Sequence, residues 1–97
     1  MDTRRITEME GCLRECAAVT AGLTEQLDRL DAVRDGMIRL FAYYGSEEWY
    51  EDREGPLPEG FAAGVLSEDA VYDQITQVRD AAFRMLETAT DILKNRL

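Results

Sequence analysis

Starting at Ile6 and stepping alternately by three and four residues, the chain reads Ile6, Met9, Leu13, Cys16, Thr20, Leu23, Leu27, Leu30, Arg34, Met37, Phe41 and Tyr44, and ten of those twelve positions are apolar or aromatic. Residues three and four apart share one face of an α-helix, so this run specifies an amphipathic helix over about residues 3–44. The two exceptions, Thr20 and Arg34, occupy the same heptad position. A second stripe of Cys12, Val19, Gln26, Val33 and Leu40 widens the face beyond a bare coiled-coil seam. That width suits a helix packed against more than one neighbour. Unbroken, such a helix would be roughly 60 Å long at 1.5 Å per residue. Gly11, Gly22 and Gly36 fall off the seam. Each costs about 1 kcal/mol relative to alanine and offers a place to bend.

A second helix is written just as plainly over residues 67–95. Ser67 is a good N-cap, Glu68 and Asp69 put negative charge in the first turn, and Leu66 stands where it could staple onto Val71. The seam continues through Val71, Ile75, Val78, Ala82, Met85, Ala89 and Ile92, and Lys94 and Arg96 carry the sign that suits a C-terminus. Between the long helices, Gly45 is a stop signal and Ser46 can cap a short helix through about Glu54. Gly55-Pro56-Leu57-Pro58-Glu59-Gly60 is turn-rich and opens a linker over 55–66. No segment alternates with a period of two over strand length. The expected fold is therefore all-α: two long antiparallel amphipathic helices joined by a short helix and a turn-rich linker, forming one helical domain over residues 1–97. Two helices cannot cover so wide a face. The bundle is completed either by self-association or by a bend in the first helix near Gly22 or Gly36 that makes three helices of two.

Composition narrows the chemistry. The 97 residues contain no histidine, 20 acids and 11 bases, for a formal net charge of −9. Without histidine there is no Ser-His or Cys-His nucleophile pair and no His-containing zinc site. An acidic surface is the wrong sign for the phosphate backbone, so direct nucleic-acid binding is not expected. No apolar run reaches the length of about 20 residues that spans a bilayer, and the N-terminal stretch is amphipathic rather than signal-like, so a cytoplasmic protein away from the membrane is expected. Cys12 and Cys16 lie one helical turn apart. With no third or fourth ligand to complete a thiolate site, they are expected to be buried as small apolar residues. Arg34 on the seam could pair with an acid or let its stem snorkel at the edge of the packing.

Tyr43-Tyr44-Gly45-Ser46-Glu47-Glu48-Trp49, followed by Gly64-Val65-Leu66-Ser67-Glu68-Asp69 and Tyr72-Asp73, resembles the domain of unknown function 4298 family of small bacterial proteins. The long amphipathic helix before these motifs and the helix containing Arg84-Met85-Leu86 after them fit the same resemblance. It implies a helical bacterial protein and brings no activity, cofactor or catalytic residue with it.

The charge and the aromatic residues share one end of the sequence. Residues 1–44 carry −2, residues 45–73 carry −8 and residues 74–97 carry +1, while seven of the eight aromatics fall between positions 41 and 72. In the plainest reading, Trp49 folds down between the helix ends, where buried Tyr and Trp groups bond to backbone freed at the turns. The acids Glu47, Glu48, Glu68 and Asp69 then stabilise first turns by roughly 0.3–1 kcal/mol each. The functional reading keeps Tyr43, Glu47, Glu48, Tyr50, Glu51, Asp52 and Phe61 as an interaction surface for a protein partner with a basic face. Two alternatives share the acidic signal. One is a divalent-metal-dependent enzyme or regulator using Glu48, Asp52, Glu68 or Asp69, although no calcium-loop spacing is present. The other is a nucleic-acid mimic, which asks for charge spread along a whole face. No phosphate loop or nucleophile elbow is present, so no catalytic residue and no cofactor are assigned.

Overall fold

The computed structural model describes residues 3–95. Three α-helices are present, α1 (Thr3–Tyr43), α2 (Glu47–Glu54) and α3 (Glu68–Lys94), with a 3₁₀ turn at Gly64–Leu66 before α3. No strand occurs among the described residues, so the protein is all-α. Arg96, expected beside Lys94 at the end of α3, lies outside the described residues. No described helix is long and apolar enough to cross a membrane.

The chain divides into two compact units at Met37 and Ile38. The first, residues 3–37 of α1, is helix throughout and passes Gly22 and Gly36 without interruption. None of its residues is buried. The seam residues Ile6, Met9, Leu13, Leu23 and Leu27 are all exposed, Leu13 to 63%. Cys12 and Cys16 are exposed as well, which corrects the expectation that they are buried thiols. The reason is simple: this unit is a single helix, and nothing else in it can cover them. Arg34 bonds to Asp31 one turn earlier on its own helix at 3.2 Å, with both side chains about two-thirds exposed.

The second unit begins at Ile38 and holds the turns and caps. Gly45 ends α1 with φ +77°, a left-handed conformation that costs a side chain roughly 1–2 kcal/mol. Ser46 caps α2 by accepting a hydrogen bond from the Trp49 N–H. The Gly55 N–H then closes that helix on the Glu51 carbonyl. Phe61 N–H bonds to the Pro58 carbonyl at 3.1 Å across Gly60, whose positive φ is the requirement of a type II turn. Ser67 ends the 3₁₀ turn and caps α3, accepting from both Asp69 N–H and Ala70 N–H. Among the described residues only Trp49 and Val71 are buried apolar side chains, at 3% and 4% exposure.

Candidate functional site

Trp49 is the pivot of the second unit. Its indole N–H donates to the Val65 carbonyl at 3.0 Å, tying α2 to the 3₁₀ turn. Tyr44 and Tyr50 each meet the indole edge-on, with ring centroids 5.0 Å away. Arg53, one turn further along α2, lays its guanidinium 4.7 Å from the indole centroid and reaches Glu68 Oε1 at 3.3 Å. Tyr44 donates its hydroxyl to the Glu68 carbonyl at 2.7 Å, so the first turn of α3 is held by two side chains from earlier in the chain. These contacts match the reading in which aromatic polar groups satisfy backbone exposed at turns. The four acids expected in first turns are there, Glu47 and Glu48 in α2, Glu68 and Asp69 in α3.

Beside this joint lies a cleft of about 370 Å³. Tyr43, Glu51 and Asp52 supply its polar lining, and Pro56, Leu57, Phe61, Val65 and Leu66 are among its apolar walls. Phe61 is 61% exposed and Leu57 45%, so both rings and branches are open to a visitor. No Lys or Arg lines the cleft. Tyr43 donates a 2.5 Å hydrogen bond to Asp52 Oδ2. That bond, with desolvation and the negative charges of Asp52 and Glu48, pushes the phenol up to about 12. Its deprotonated form would lose the bond and face two carboxylates.

Four of the seven proposed surface residues, Tyr43, Glu51, Asp52 and Phe61, therefore meet on one cleft. The other three do not line it: Tyr50 is exposed against the indole edge, and Glu47 and Glu48 occupy the first turn of α2. Sequence reasoning missed Leu57, the 3₁₀ turn residue Val65, and the double use of Arg53. A signal for Arg53 was present, because it is the sole base between residues 45 and 73 and sits four residues after Trp49, on the same helical face. Among the described residues no three Asp, Glu or Cys side chains come close enough to hold a metal ion.

A family model, described as a domain of unknown function (DUF4298), matches residues 6–88. The chain belongs to this family. No curated protein matches the chain. The two DUF4298-like motifs quoted above turn out to be the two sides of a single joint. Tyr44 and Trp49 come from the first and Val65 and Glu68 from the second, joined by Tyr44 donating to the Glu68 carbonyl and Trp49 to the Val65 carbonyl, with Arg53 adding its bond to Glu68 from just beyond the first motif.

Proposed function

We propose that the protein is a non-enzymatic protein–protein interaction module whose acidic, aromatic-rich end receives a partner segment carrying positive charge. The observation that supports this most is the cleft, where Glu51 and Asp52 stand beside open Phe61 and Leu57 with no base among them. Apolar and aromatic anchors beside carboxylates suit a segment in which Lys or Arg neighbours an apolar side chain. Glu47, Glu48 and Tyr50 extend the acidic surface outside the cleft. The −8 carried by residues 45–73 steers a basic partner toward this end rather than along the molecule. This concentration also favours the module over a nucleic-acid mimic.

In this reading the chain works as one domain in the cytoplasm. The test is capture of partners from host lysate by the wild-type chain, by Glu51→Lys/Asp52→Lys and by Phe61→Ala. A partner lost by both variants, each with an unchanged far-UV spectrum, is the expected result. A partner retained equally by all three chains would remove the cleft from the account.

A further inference from the structure

We propose that α1 pairs with α1 of a second copy of this chain, antiparallel, along the seam from Ile6 to Met37. The inference rests on residues 6–37 and stands apart from the cleft reading. The seam steps by three and four in strict alternation, an average of 3.5. That repeat keeps one stripe turned toward a partner helix of the same kind over its whole length. Within residues 3–37 no side chain is buried. At 27 residues, α3 is shorter than the stripe from Ile6 to Met37, whereas a second copy of α1 matches it end to end.

Orientation follows from Arg34. Ile6, Leu13, Thr20, Leu27 and Arg34 form one set of heptad positions, and Met9, Cys16, Leu23, Leu30 and Met37 form the other. A parallel, in-register pair would set Arg34 against the partner's Arg34 within the seam, two like charges facing one another. An antiparallel pair matches the first set with the second. Ile6 then meets the partner's Met37, Leu13 the partner's Leu30, Cys16 the partner's Leu27, and Thr20 the partner's Leu23. Arg34 meets the partner's Met9, which Glu8 and Glu10 flank. The guanidinium thus exchanges an exposed bond to Asp31, of the kind that contributes little, for a place beside the partner's Glu10 at the edge of the seam. This register ends at Met37, leaving Phe41 and Tyr44 to the second unit, where both are half-buried.

Analytical ultracentrifugation at micromolar concentration should give twice the monomer mass of 11.0 kDa. A monomer, a trimer or a tetramer would overturn the proposal. Arg34→Glu, an exposed substitution that leaves folding intact, should weaken the dimer about tenfold or more, with Glu10→Arg restoring part of the loss. Unchanged dimerisation would remove this register. Leu23→Glu should give a monomer with unaltered Trp49 fluorescence, and a persistent dimer would remove the seam. Spin labels on Thr7→Cys in a Cys12→Ala/Cys16→Ala background decide the orientation. Antiparallel helices hold the labels about 40 Å apart, whereas parallel neighbours 8–10 Å apart hold them within about 20 Å.

Discussion

Residues 3–37 and residues 38–95 solve the same problem in opposite ways. The first unit carries a long seam of apolar residues spaced three and four apart and buries nothing, because a single helix has no second surface to bury it against. The second unit joins a short helix and tight turns to α3, and it contains both buried apolar side chains, Trp49 and Val71, and the hydrogen bonds that connect distant parts of the chain. Periodicity specifies a face but not its cover. A few polar aromatic groups aimed at turn carbonyls fix a geometry even where little area is available.

The sharpest way to break that contrast is at the pivot. Trp49→Ala removes the largest buried side chain and should cost about 3–5 kcal/mol in the second unit, read as a lower denaturation midpoint. If far-UV and near-UV signals were unmoved, Trp49 would not be the pivot. Trp49→Phe keeps most of the ring but leaves the Val65 carbonyl unpaired, so a smaller loss of about 1–3 kcal/mol is expected in the same denaturation experiment. Ser67→Ala deletes the cap that accepts from Asp69 N–H and Ala70 N–H and should cost about 1 kcal/mol. Corresponding changes to exposed polar positions of residues 3–37, Ser-like in size, should stay within about 0.5 kcal/mol.

The smallest effect is a titration. Tyr43 is held protonated by Asp52, with a folded value of about 12 against an ordinary value of 10.0. A raised value means that the bond contributes fully below pH 10 and is lost as the pH climbs through about 12. Ultraviolet absorbance should therefore show a late tyrosine ionisation near pH 12, and Tyr43→Phe should delete that step. A late step that survives in Tyr43→Phe, or no late step in the wild-type chain, would show that the Tyr43–Asp52 bond is not kept in solution. Millimolar Mg²⁺, Mn²⁺ or Ca²⁺ should leave the melting temperature unchanged, since no three described Asp, Glu or Cys side chains gather closely enough to share an ion.

Much of this was legible in the sequence, and what was not has a physical cause. The helices announce themselves through spacing, and their ends through Ser46, Ser67 and Gly45, because capping depends on residue type. The 3₁₀ turn at Gly64–Leu66 is only three residues long, too short for any periodic signal. The acceptors of Trp49 and Tyr44 are backbone carbonyls, and every residue carries one, so the pattern could name the donors but not their partners. The cleft likewise joins Tyr43 to Phe61 through turn geometry at Gly60 rather than through any motif. The cysteines misled because burial is a property of the surroundings, and Cys12 and Cys16 sit on the apolar side of a helix that its own unit leaves uncovered.

The central claim is that the second unit is held by its own joint while residues 6–37 depend on a second copy. Residue-resolved hydrogen exchange on the whole chain, followed from dilute to concentrated solution, tests it most directly. Amide protection over residues 6–37 should rise with concentration as dimer forms, while that around Trp49, Ser67 and Val71 stays constant. Protection of residues 6–37 that is high and independent of concentration would contradict the account.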